Sequence, residues 1–154
     1  MAHRVIEHGA TTKNPPENFT GDVWVDPIAV PQEEGQRMVV AKVRFAPGAR
    51  TAWHSHAHGQ TLHVTDGVAL FGTRDGEVLR ALPGQTVYCP AGEEHWHGAD
   101  PEHFMEHLAM LENAEDPSTT TTWLEHVSDE DYARRPWPQT GHHRSAVQAA
   151  IIHS

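Results

Sequence analysis

His54-Ser55-His56 sets two imidazoles two residues apart. On an extended chain that spacing turns both rings to the same side, where they can share one ion. Gln60 follows four residues after His56, and the short run Ala57-His58-Gly59 can fold back so that the Gln60 amide oxygen reaches the same place. His95 comes from a distant run, behind Pro90-Ala91-Gly92-Glu93-Glu94, and completes a set of three imidazoles and one oxygen. A divalent metal held by four such donors keeps positions open for water or substrate, as metal-assisted catalysis requires. Three imidazoles suit Zn²⁺ and an oxygen-bearing site also suits Mn²⁺ or Fe²⁺, so the donor set alone leaves the ion open.

The elements that must carry these residues are strands. From about residue 20 to about 127 the chain is a succession of β-rich runs separated by Gly and Pro, the pattern of an all-β barrel or sandwich. Strands are expected at 22–26, 37–46, 51–55, 60–66, 68–74, 77–82, 85–89, 95–98, 103–112 and 120–126. Turns fall at Pro47-Gly48, Asp66-Gly67, Asp75-Gly76, Pro83-Gly84 and Ala91-Gly92, and the Asp75-Gly76 pair is the strongest hairpin signal. Period-two alternation sends Lys42 and Arg44 to water and Val39, Ala41, Val43 and Phe45 inward. The same logic turns Glu106 outward and Met105, His107, Ala109 and Leu111 inward. His107 is thereby a polar group on an apolar face, a place where a histidine with one hydrogen bond is also an ordinary core residue. His63 falls on the side opposite Leu62 and Val64 and is expected to be exposed. Ser128 caps a short helix over 129–135 whose acidic first turn sits at the positive end, and Pro136 stops it.

Length and composition bound the rest. A chain of 154 residues suits one well-buried domain, here 19–135, with an N-terminal arm at 1–18 and a C-terminal tail at 136–154. The formal charge of −10 repels phosphate backbones and anionic membranes, which argues against nucleic acid and membrane partners. No stretch approaches the roughly 18 apolar residues of a membrane span, and the opening residues lack the apolar core of a signal peptide, so a cytoplasmic location is expected. The single cysteine, Cys89, is read as a buried structural thiol. Of the 14 histidines, His3, His8, His142, His143 and His153 lie in polar terminal segments and are read as solvated. Trp24, Trp53, Trp96, Trp123 and Trp137 are read as packing or subunit-contact residues rather than a stacking platform.

In these spacings the chain resembles the cupin superfamily. The first cupin motif is present as Gly48, His54, His56, Gln60 and Gly67, and the second as Gly84, Pro90, Gly92 and His95. The resemblance implies a single-domain double-stranded β-helix, or jelly-roll barrel, with a metal at His54, His56, Gln60 and His95. Two positions depart from the family's habit: Gln60 stands where Glu is usual, and Ala99 where Asn is usual. A neutral amide in place of a carboxylate leaves more of the cation's charge uncompensated. That strengthens a Lewis acid and disfavours the higher oxidation states that oxygen activation needs.

A narrower resemblance covers roughly residues 19–135, carried by FTGDVWVDP, FAPGARTAWHSHAHGQTLHVTDG, PAGEEHWHGADP and WLEHVSDEDY. These runs are similar to the small manganese-containing cupins that act as bacterial hydroxynitrile lyases. That likeness implies manganese as the ion, with iron or zinc as alternatives, and a substrate pocket lined by Ala41, Val43, Thr51, His97, His107 and Leu111. It also implies a homodimer or homotetramer, with the 22–26 strand the expected edge contact. His58 and Leu111 depart from the lyase pattern, where an apolar residue and Gln are expected. The activity implied is cleavage of a cyanohydrin through a metal-polarised hydroxyl, with His107 the preferred base or proton shuttle and His97 the alternative. Two other classes remain open at this point: a mononuclear Fe or Mn oxygenase, and a non-catalytic metal cupin that binds a small ligand.

Overall fold

Alternating burial along strands of β-branched and aromatic residues produces two curled sheets. The computed structural model describes residues 3–134. In chain order the strands are β1 Thr12–Lys13, β2 Phe19–Thr20, β3 Val23–Ala29, β4 Met38–Phe45, β5 Arg50–Thr51, β6 His54–His56, β7 Gln60–Gly67, β8 Ala69–Thr73, β9 Val78–Ala81, β10 Thr86–Cys89, β11 His95–Ala99, β12 Met105–Glu112 and β13 Thr121–Trp123. A 3-10 turn at Pro117–Thr119 precedes β13, and one helix, α1 Asp129–Tyr132, follows it. One sheet runs β1-β3-β4-β12-β7-β10; the other runs β13-β6-β11-β5-β2, with β8 joining β11 to β9. Neighbours in both sheets are antiparallel. This is an all-β, single-domain barrel of the expected kind.

The inward faces form the core. Val43, Phe45, Leu62, Val64, Ala69, Phe71 and Met105 are buried and belong to one apolar cluster, while Lys42 and Arg44 on the opposite face of β4 remain partly exposed. Burying a side chain such as Leu62 or Phe45 contributes about 1.5–3 kcal/mol by removal of apolar surface from water. A second cluster of Trp53, Leu70, Val78, Trp96 and Val127 lies outside the barrel, under the segment that ends in α1. Arg50 fastens that segment: its guanidinium donates to the Val127 carbonyl and to Asp129 and lies 4.4 Å from the Tyr132 ring centre.

Several elements differ from the sequence expectation. The expected strand 51–55 is two strands, because Ala52 and Trp53 between them bond elsewhere: Ala52 N–H to the Asn18 carbonyl, Trp53 N–H to that of Glu125. β1 and β2 are additional, and β1 lies within the 1–18 arm, where Thr12 and Lys13 pair with Val25 and Trp24. The helix is a single turn ending at Tyr132 rather than at 135, capped as expected by Ser128 Oγ, which accepts from Asp131 N–H. The tail at 136–154, with Trp137, His142, His143 and His153, lies outside the described residues. The Asp75-Gly76 hairpin forms as read, with Gly76 N–H donating to the Thr73 carbonyl at 3.1 Å.

Gly67 is held by two constraints at once. It ends β7 with φ of 73°, and a Cβ there would meet the Phe104 carbonyl oxygen at 1.9 Å. Both the left-handed backbone and the close approach demand glycine. Gly67→Ala is therefore expected to cost roughly 3 kcal/mol or more, read as a lowered unfolding midpoint. A melting curve indistinguishable from the parent protein would contradict this local geometry.

Candidate metal centre

β6, β7 and β11 bring the four sequence-predicted donors together. His54 and His56 occupy the two inward positions of β6, Gln60 opens β7 and His95 opens β11, where it pairs directly with His54. All four side chains are buried. The return of the chain from His56 to Gln60 depends on Gly59, whose φ of 77° places its backbone against the Cys89 carbonyl, leaving only 2.8 Å for a Cβ. The His54 ring centre lies 4.9 Å from that of His56 and 4.3 Å from that of His95, and His56 and His95 are 5.3 Å apart.

Each imidazole is oriented through its other nitrogen. His54 Nδ1–H donates to the Ala52 carbonyl at 2.9 Å, and His95 Nδ1–H donates to the Glu93 carbonyl at 3.0 Å. A carbonyl can only accept, so these bonds fix the tautomer and leave the Nε2 lone pairs available. His56 Nδ1 meets the Thr121 hydroxyl at 3.0 Å. The inward atoms His56 Nε2, Gln60 Oε1 and His95 Nε2 are buried and have no hydrogen-bond partner. Unsatisfied buried polar atoms cost about 1–3 kcal/mol each, and a bound cation would relieve that penalty. The donor set therefore fits a divalent metal.

His97 and His107 extend the cluster into the barrel. Ligand-capable atoms of His54, His95 and His97 all lie within 4.8 Å of one another, so the structure brings His97 to the donor set itself. His107, opposite Val43 on β12, is fully buried, and its Nε2 lies 3.0 Å from His97 Nδ1. His97 Nε2 and His107 Nδ1 have no partner. The Thr51 hydroxyl is also buried here and accepts the His97 backbone N–H at 3.2 Å. Ala41 and Leu111 share the inner face of the β4–β12 pair, opposite Ala109 and Val39, and are half-buried. His58 is exposed on the turn before Gln60, and His63 is half-exposed with Nδ1 bonded to the Thr86 hydroxyl.

Burial dominates the electrostatics. It holds His54 and His97 well below the ordinary imidazole value, with neighbouring histidines adding to the effect, and it lowers His95 against the raising influence of the Glu93 carbonyl. His56 falls to about 4 through burial and His95, and His107 to about 4 through burial. A histidine whose folded value lies below its unfolded value contributes no pH dependence above the unfolded value, near 6.5. Below that the unfolded chain takes up a proton that the fold refuses. The metal-free protein is thus expected to have a level unfolding free energy from about pH 7 to 8 and to lose stability from about pH 6.5 towards 4. His107 alone accounts for on the order of 3 kcal/mol of that loss. Urea titrations of chelator-treated protein across that range check the slope, and stability rising with acid would contradict it. Cys89 is buried as expected, and burial, aided by Glu93, pushes its thiol up to about 12.

Two residues of the site are not singled out by the sequence: Thr121, which steadies His56, and Trp123, read as a packing residue, whose ring centre lies 4.7 Å from that of His54. Both lie on β13, paired residue for residue with β6. The alternation Thr121–Thr122–Trp123 was the available signal, but nothing local says which strand β13 will join.

A two-sheet β-barrel with inward histidines on adjacent strands and a neighbouring amide oxygen defines the class of double-stranded β-helix barrels to which this chain belongs: it is a member of the cupin family. Residues 41–106 match the Cupin domain family. The chain is 44% identical over 126 residues to the (R)-mandelonitrile lyase of Granulicella tundricola, covering 81% of this chain and 93% of that one. It is 40% identical over 73 residues to the beta-alanine degradation protein BauB of Pseudomonas aeruginosa, covering 45% of this chain and 77% of that one. Among solved structures, a cupin-like protein from Thermotoga maritima superimposes with a TM-score of 0.75 at 31% identity, covering 89% of this chain and all 100% of that one. Among the described residues, no helix is long and apolar enough to cross a membrane.

Proposed function

We propose that this protein is a metal-dependent carbon–carbon lyase of the hydroxynitrile lyase type, cleaving or forming cyanohydrins. The observation that carries the reading is the set of buried, unpartnered donor atoms on His56, Gln60 and His95 beside a hydrogen-bonded His97–His107 pair. The 44% identity to a mandelonitrile lyase supports the substrate class. His54, His56, Gln60 and His95 would hold one divalent cation, with manganese the preferred ion and iron or zinc the alternatives. That cation supplies Lewis-acid polarisation of a hydroxyl or carbonyl oxygen.

The chain's own residues handle the proton. Cleavage removes the hydroxyl proton of the cyanohydrin, breaks the bond to the nitrile carbon with its electron pair leaving on cyanide, and returns a proton to that carbon as HCN. His97 stands beside His54 and His95, with ligand-capable atoms of all three within 4.8 Å of one another, and His107 stands behind it on His97 Nδ1. Burial keeps both rings neutral, with a lone pair free to face the hydroxyl, although each is a weaker base than a solvated imidazole, which is why the proton must be shared along the pair. In this reading the two act as one unit, His97 meeting the substrate and His107 sharing the proton. Val43, Ala41, Leu111 and the Thr51 hydroxyl would line the substrate space on the inner face. A homodimer or homotetramer and a cytoplasmic location are part of the same proposal, the latter in keeping with Cys89 as a free buried thiol.

The test is aldehyde release from racemic mandelonitrile by manganese-loaded protein, with metal-stripped protein as the paired control. Metal-dependent, enantioselective release is expected. Release no faster than the stripped control, with oxygen uptake on iron loading instead, would replace the lyase with an oxygenase.

A further inference from the structure

Three aromatic rings other than histidine pack on the histidine cluster among the described residues: Phe45 against His97 and His107, Phe71 against His97, and Trp123 against His54. Phe45 and Phe71 are 1% and 6% exposed and close the interior. Trp123 is 38% exposed and so reaches solvent while touching the metal centre. As the strand partner of His54 it rises from the same face of the sheet, its ring tilted 37° to that imidazole. Phe19 backs it at 5.5 Å between ring centres. A large aromatic left partly in water against the His54 imidazole, which itself packs on His56 and His95, is placed to receive the apolar part of a molecule whose oxygen approaches the unpartnered atoms of those two residues.

We propose that Trp123 is the specificity residue that selects an aromatic substituent on the substrate. A benzylic compound carries its oxygen and its ring two bonds apart, a span that suits a site where an indole is in contact with a ligand imidazole. Offset or edge-to-face contact between two rings is worth about 0.5–1.5 kcal/mol beyond simple burial, which corresponds to roughly 3- to 10-fold in affinity. The cyanohydrin substrate rests on the lyase reading above; the contact with the aryl ring requires no turnover.

The experiment uses manganese-loaded protein and two unreactive alcohols of similar size, benzyl alcohol and cyclohexylmethanol, followed by titration calorimetry. The parent protein is expected to bind benzyl alcohol more tightly, Trp123→Leu to lose that preference by about 3- to 10-fold, and Trp123→Phe to keep most of it. A preference absent from the parent protein, or undiminished in Trp123→Leu, overturns the proposal. Equal weakening of both alcohols together with weaker manganese binding also overturns it, since Trp123 would then only support His54. Mandelonitrile separates the two readings. Turnover with the same KM in parent and Trp123→Leu keeps the lyase and removes the aryl contact, whereas no turnover with a Trp123-dependent preference for benzyl alcohol does the reverse.

Discussion

His95→Ala protein is expected to lose its metal and, with it, essentially all turnover of mandelonitrile. His95 sits at the centre of the donor set: it pairs with His54 across β6 and β11, and its Nε2 is buried without a partner while Nδ1 is anchored on the Glu93 carbonyl. A Lewis acid contributes several kcal/mol of transition-state stabilisation, so its loss corresponds to about 10³-fold or more in rate. Replacing one of a few donors also removes most of the affinity that retains the cation. The fold itself should survive, because His95 is not one of the apolar residues that make up the main core. Elemental analysis, circular dichroism and the aldehyde assay together read the three parts. Thr121→Val sets a graded comparison: it removes the hydroxyl on His56 Nδ1 without touching a donor atom, and losses of 10- to 100-fold in metal affinity are typical of such supporting contacts. Full metal content and turnover in His95→Ala protein would refute this centre as the site.

His107→Phe is expected to retain the metal and lose catalysis. The substitution keeps a ring in the fully buried site beside Phe45 and Val43 but removes the partner of His97 Nδ1. A positioned acid–base group contributes about 10²- to 10⁴-fold, so kcat should fall by that order while manganese stoichiometry stays unchanged. His97→Ala should fall at least as far, and the double variant should cost little more than the worse single one, because groups acting as a unit are not additive. Additive losses would show that the two histidines act separately, and unchanged turnover in both single variants would remove them from the mechanism.

Much of the fold is legible in the chain because alternation acts locally. The inward positions Val43, Phe45, Met105 and His107 are buried as the period-two reading requires, and the hairpin at Asp75-Gly76 closes where its turn chemistry places it. Boundaries are less legible where a strand's backbone groups are claimed by remote segments. The 51–55 run breaks because Asn18 and Glu125 take its amides, and β1 and β2 exist because β3 and β5 offer them an edge. Two or three residues carry too little pattern to announce themselves. A bulge between Glu106 and His107 likewise sets Val64 rather than Thr65 opposite His107, a shift in pairing that depends on both strands.

Which side chains turn inward is written in the chain: two histidines at alternate positions of one strand, a glutamine after a glycine turn and a histidine after a proline-glycine turn. The inward direction of His97 and His107 is legible there too, since side-chain direction in a strand follows from parity alone. Which inward faces meet depends on how the strands pack. The bond between His97 Nδ1 and His107 Nε2, the seat of Thr121 on His56 and the contact of Trp123 with His54 each join different strands. Their physical origin is register and sheet curl, which arise from the packing of the whole barrel and have no signature in any one segment.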